Sequence, residues 1–259
     1  MLPDLPELGV EDRNGDGIMD YIRSRIYVAD DANAEEIAAA ANLAARMAFE
    51  TTSMNLPVGF PVSEYESGEP AIFVGCGPPS IDGAATIQFR NIQEAEKAAL
   101  GCALNGYALV DQPTPQRQHH SDFQLQTLLT STRQIVLGLD VCCTAIIDLA
   151  ARIGLESTEL RLPLVKVARH NSDQLPPFPN TILIGLTNPY VQQRILSGKF
   201  LPPTEASTGC ITLTGDCTII AGADFAGEKA ALEHAAQCHP YLREYGKGRA
   251  SLASIEDEV

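Results

Sequence analysis

Basic residues are scarce: 18 Lys and Arg face 33 Asp and Glu over 259 residues, for a net charge of −15. This excludes a nucleic-acid binder that works through bulk charge. A polyanion is repelled at long range unless a local basic stripe rescues it, and the Lys and Arg here are scattered singly or in pairs. Long apolar runs are missing too, since no window nears the ~18 consecutive apolar residues of a membrane-spanning helix. The segment from Met1 to Glu7 has neither a basic nor an apolar region of the kind that directs secretion, so no export is expected from it. The seven cysteines form an odd set without any Cys-x-x-Cys, and three lie in apolar, helix-like runs (Cys102, Cys142, Cys143). They read as small buried hydrophobes in a reducing compartment. No Gly-x-Ser-x-Gly, His-Glu-x-x-His or P-loop occurs.

What the chain does have is enough apolar material for a large core: 45% of its residues are hydrophobic. It also repeats itself. The segment Leu43 to Pro57 (LAARMAFETTSMNLP) is echoed by Leu149 to Pro163 (LAARIGLESTELRLP) at an offset of 106, and Ala71 to Gly75 by Thr181 to Gly185 at an offset of 110. Kept order with a small insertion predicts an internal duplication.

Each unit reads as α/β. Ile22, Ser24, Ile26 and Val28 alternate with Arg23, Arg25 and Tyr27 as in a strand. Asn33 with Glu36 forms a capping box ahead of an alanine-rich helical face running from Ile37 to Ala48. Strands are expected at Thr51–Leu56, Ile72–Val74 and Tyr107–Val110, with a second capping box at Asn91 and Glu94. In the second unit a helix is expected from Asp140 through Ile153 with Gly154 at its end. Strands follow at Ile182–Ile184 and Thr218–Ala221, and a last helix runs from about Gly227 to Cys238, stopped by Pro240. This alternation predicts mostly parallel sheets in two related Rossmann-like or flavodoxin-like lobes. The expected divisions are an N-terminal loop segment at 1–20, units at 21–117 and 118–245, and an acidic tail or linker at 246–259.

The sharpest motif is Asp12-Arg13-Asn14-Gly15-Asp16-Gly17-Ile18-Met19-Asp20. Its D-x-N-x-D-G spacing places Asp12, Asn14, Asp16, the Ile18 carbonyl and Asp20 as Ca2+ ligands, with Gly17 allowing the turn. A full EF-hand would need Glu where Arg23 stands and a helix where a strand is expected. The nine residues resemble the aspartate-rich calcium loops of thrombospondin type 3 repeats and dockerin-like segments. An Asx-turn loop without an ion is the alternative. Calcium implies an extracytoplasmic setting, whereas the cysteines suggest the cytoplasm, and the two indications conflict.

Three further places carry weaker chemistry. Gly75-Cys76-Gly77-Pro78-Pro79-Ser80 follows a strand, but its prolines remove the N–H donors a phosphate would need, which leaves Cys76 as a candidate nucleophile at a strand end. His119 and His120 lie in the polar junction and read as solvated. Gly222-Ala223-Asp224 opens the last helix, with Asp224 and Glu228 complementing its dipole. The order strand, Gly-x-Asp, Ala-rich helix over Thr218–Ala236 resembles duplicated periplasmic modules of bacterial polysaccharide machinery, such as the cellulose synthase periplasmic subunit, which implies a non-catalytic, carbohydrate-facing scaffold. The expectation is therefore a calcium-stabilised, non-enzymatic binding or scaffold module. Its partner would be another protein, the rest of a longer polypeptide or carbohydrate, with neither nucleic acid nor membrane insertion involved. A hydrolase or transferase with its site between the lobes near Cys76 and His119/His120 is one alternative. A non-catalytic subunit of a heteromeric enzyme is another.

Overall fold

The computed structural model describes residues 9–15, 17–66, 70–76, 86–89, 93–95, 99, 132–157, 160–168, 180–214 and 217–237. They form a mixed α/β protein with two mostly parallel sheets. The first sheet runs β5 (Gly59–Pro61), β3 (Arg25–Val28), β6 (Ala71–Val74), β7 (Thr86–Phe89), with every neighbour parallel. The second runs β9 (Val165–Val167), β8 (Gln134–Leu137), β10 (Thr181–Ile184), β12 (Cys217–Gly222), also parallel, and an antiparallel edge strand β11 (Gly209–Thr214) pairs with β12. A small third sheet joins β1 (Val10–Glu11), β2 (Tyr21–Ile22) and β4 (Ser53–Met54).

Strand alternation sets the layers. Ile26, Val28, Ile72 and Val74 of the first sheet, with Ile135, Leu137, Ile182 and Ile184 of the second, enter one continuous core. Tyr27 and Phe73 point the other way into an aromatic cluster with Phe60 and Tyr65, and Val136 and Leu183 face a separate outer cluster with Val191 and Phe200. Between the inner faces lie α1 (Ala34–Phe49) and α2 (Ala145–Glu156), packed on each other. Thirteen of the sixteen α1 residues and all twelve of α2 are buried, so both are interior helices and not amphipathic covers. Helix α3 (Pro189–Leu196) covers the outer face of the second sheet, and α4 (Phe225–Ala236) packs on α2, β11 and β12.

The α1 capping box forms as expected: Asn33 accepts from the Glu35 and Glu36 amides while the Glu36 carboxylate accepts from the Asn33 amide at 2.9 Å. Other expectations are corrected. The single strand expected over Ile22–Val28 is two, because the chain leaves the small sheet at β2 and enters the main sheet at β3. The Thr51–Leu56 strand shrinks to Ser53–Met54. Helix α2 starts at Ala145 and not at Asp140. Gly154 lies inside α2 and does not end it: a Cβ there would collide with the Ala45 backbone carbonyl of α1, so glycine permits the close approach of the two helices. Strands β1, β5, β7, β8, β9 and β11 and helix α3 carry too little local pattern to be expected from the sequence. The junction with His119 and His120, the Asn91 cap, the Tyr107–Val110 strand and the acidic tail lie outside the described residues.

The seam between the two large sheets holds two polar contacts that answer each other. Asn42 of α1 reaches Val165 at the start of β9, donating to its carbonyl at 2.9 Å and accepting from its amide at 2.8 Å. Asp148 of α2 reaches back, its Oδ1 accepting from the Val58 amide at 2.8 Å and the Gly59 amide at 3.0 Å, at the start of β5. Each helix thereby satisfies edge-strand groups that would otherwise be buried without partners.

Candidate functional site at the carboxyl ends of the strands

In an open parallel sheet, ligand groups gather outside the carboxyl ends, where the strand order reverses. In the second sheet that point lies between β8 and β10. The Gly138 amide after β8 donates to the Ile184 carbonyl at 2.9 Å, and Gly185 after β10 takes a left-handed φ of 89° that turns the chain away. Asp140 comes from the first of these loops and Thr187 from the second, with the Thr187 hydroxyl donating to Asp140 Oδ1. Glu228, in the first turn of α4, approaches the same place: its Oε2 is 3.6 Å from where a Cβ at Gly185 would sit. Behind them Asn188, fully buried, donates to the Val136 carbonyl at 2.8 Å and accepts from the Tyr190 amide at 3.1 Å, which fixes the loop and starts α3.

Burial pushes the Glu228 carboxyl up to about 7, and the nearby Asp140 charge adds to the rise. Near neutral pH the Glu228 carboxyl is therefore partly protonated. In the sequence Glu228 reads as a dipole complement; its partner Asp140 is 88 residues away in the chain, and only the fold brings them together. Asp224 does cap α4, accepting from the Gly227 amide at 2.9 Å and the Ser207 amide at 2.8 Å, and those bonds hold its carboxyl below the ordinary range.

The corresponding corner of the first sheet contains Asp30, Glu36 and Cys76, with Gly75 at a φ of 75°. The Cys76 thiol lies 3.8 Å from the Tyr27 carbonyl, and burial, aided by Glu36 and Asp30, pushes it up to about 11. A thiol so held is almost wholly protonated at neutral pH and is a poor nucleophile. The neighbouring acids act oppositely to the cationic partner that an activated cysteine needs. Iodoacetamide at pH 7.5 is accordingly expected to label the exposed Cys142 well before the half-buried Cys76. Peptide mapping that finds Cys76 labelled first would contradict this account of the corner.

The N-terminal loop connects β1 to β2, which pair antiparallel. Asp12 accepts from the Gly15 amide at 2.7 Å and the Gly17 amide at 2.9 Å. Asp20, 1% exposed, accepts from the Arg13 amide at 2.7 Å and the Asn14 amide at 3.3 Å, while its backbone carbonyl accepts from the Ser53 amide and hydroxyl. Gly15 and Gly17 both adopt left-handed conformations, which explains the two glycines. The side chain of Ile18 is exposed. Asp16 lies outside the described residues. Among the described residues no three His, Cys, Asp or Glu side chains gather closely enough to hold a metal ion, and none of their helices is long and apolar enough to cross a membrane. No protein-family model, curated protein or solved structure matches the chain.

Proposed function

We propose that the chain is a non-catalytic binding or scaffold module of a larger protein or assembly, built from two duplicated α/β units of flavodoxin-like strand order. The observation that carries this reading is the filled seam. A catalytic site between the units, as in the hydrolase or transferase alternative, needs a crevice there, whereas α1 and α2 occupy that space with buried side chains. Duplication is supported by the order β5-β3-β6-β7 set beside β9-β8-β10-β12. It is supported also by the seam contacts at positions 42 and 148, which are separated by the same 106 residues as the sequence echo. Reciprocal contacts of this kind are what a fused two-fold dimer retains.

With the seam closed, a ligand has the strand-end rim. Asp140, Thr187 and Glu228 offer two carboxyls and a hydroxyl, a set suited to the hydroxyl groups of a carbohydrate. Affinity for a panel of neutral oligosaccharides is expected to fall by about tenfold or more in Asp140→Ala, the loss typical of a charged hydrogen-bond partner. Unchanged affinity in that variant would overturn the assignment of the rim. The near-neutral titration of Glu228 favours a second reading, in which the rim performs general acid–base chemistry as a hydrolase or transferase. Turnover of a bound oligosaccharide that vanishes in Glu228→Gln would select it.

Calcium in the N-terminal loop belongs to the same proposal, with Asp12, Asn14, Asp16, the Ile18 carbonyl and Asp20 as the oxygen donors. Asp12 and Asp20 spend only part of their acceptor capacity on backbone amides. Calcium at a hundredfold excess over Kd should raise Tm by roughly 5–10 °C, and Asp16→Ala should remove the rise. Identical Tm values in calcium and in chelator would dismiss the ion.

A further inference from the structure

The two halves of the seam perform one structural task with different chemistry. Asn42 and Asp148 each project from a buried helix and hold the first backbone groups of the other unit's edge strand. Asn42 both donates and accepts, so it is matched to a carbonyl and an amide without any charge. Asp148 only accepts, from two amides, and a neutral amide or carboxylic acid oxygen has the lone pairs to accept them too, although each bond to the ionised oxygen is the stronger. Its negative charge is therefore unnecessary for the contact and is carried in a site only 7% exposed.

The charged groups around it offer little compensation. On α4, Glu233 opposes the charge and Lys229 favours it, and those two are paired with each other at 2.6 Å. On its own helix Arg152 is engaged with Glu156 at 3.0 Å. From the Val58–Gly59 side the two backbone amides favour the ionised carboxyl, and burial outweighs them. Glu64 acts on Lys229 from beyond β5, and Cys143, just ahead of α2, is an uncharged buried thiol.

We propose that Asp148 makes the seam proton-sensitive: the two α/β units are held together more firmly when this carboxyl is protonated under mildly acidic conditions than when it is ionised at neutral pH. Burial is the cause, raising the carboxyl to about 6 from an ordinary 3.8. A carboxyl raised in the folded state binds its proton more tightly there than in the unfolded chain. Stability is thus gained as pH falls through the folded midpoint, and the gain is complete below the unfolded one. The inference does not depend on what the rim binds.

Amide exchange at Val58 and Gly59, corrected for intrinsic rates, reads the seam directly. Protection of these two amides should increase about fourfold between pH 7.5 and pH 5.5 through Asp148 alone. In Asp148→Asn, which keeps an acceptor oxygen, protection should already be high at pH 7.5 and should not change with pH at these amides. In Glu228→Gln, which removes the other raised carboxyl and its share of any global response, the fourfold change at these amides should remain. A carbon-13 carboxyl titration of the unaltered protein serves as the direct check and should place Asp148 near 6. An Asp148 midpoint at or below 4, or the same pH response in Asp148→Asn as in the unaltered protein, would overturn the proposal.

Discussion

Replacing Gly154 by alanine should weaken the protein, and replacing it by valine should leave little folded material. In an exposed helix, glycine to alanine stabilises by up to about 1 kcal/mol because alanine surrenders less backbone freedom. At this position the new methyl meets the carbonyl and Cα of Ala45, all of them backbone atoms of a buried helix that cannot rotate aside. The helices must separate, and overpacking of this kind costs typically about 1–3 kcal/mol for one methyl and more for a branched side chain. Against a total stability of about 5–15 kcal/mol, that is a large fraction. The check is the urea midpoint followed by circular dichroism. A Gly154→Ala midpoint above that of the unaltered protein would mean that α1 and α2 do not approach as described.

The second large effect concerns Arg152, a guanidinium 1% exposed that pairs with Glu156 four residues on. Truncation to alanine removes the guanidinium from beside a buried carboxylate and opens a cavity, with an expected loss of about 3–5 kcal/mol. Replacing both partners, as in Arg152→Met with Glu156→Leu, should recover most of that loss, because the desolvation of both charges disappears together. Arg46 of α1 and Glu50, which caps its C-terminus, form the same i,i+4 pair. A double variant as unstable as Arg152→Ala would show that the pair supplies something beyond mutual neutralisation.

Local physics was legible before the fold. The Asn33–Glu36 box needs only four consecutive residues, and the Ile26, Tyr27, Val28 alternation needs only the pleat, so both could be read along the chain. The local pattern misplaces both ends of helix α2 for the same reason that it misreads Gly154. A glycine after Ile153 is a good local stop signal, but here the tertiary approach of Ala45 uses it inside the helix. Likewise Asp140 resembles a helix start, yet the fold assigns it to Thr187, 47 residues later. Strand β9 is three residues long and carries Lys166 at its centre, too little pattern to stand out. Asn42 and Asp148 were the least accessible of all, since their partners are 123 and 90 residues away in the chain. Nothing local marks a polar residue in an alanine-rich face as a latch for a strand edge.

If the seam is solid, the two sheets cannot unfold independently, and function must reside on the rims and outer faces. Amide exchange measured through a urea series on β3 of the first sheet and β8 of the second tests this. Both strands should lose protection at one urea concentration in a single cooperative step. Separate transitions, with one sheet still protected after the other has opened, would contradict the shared core and restore a cleft between the units as the place to look for a site.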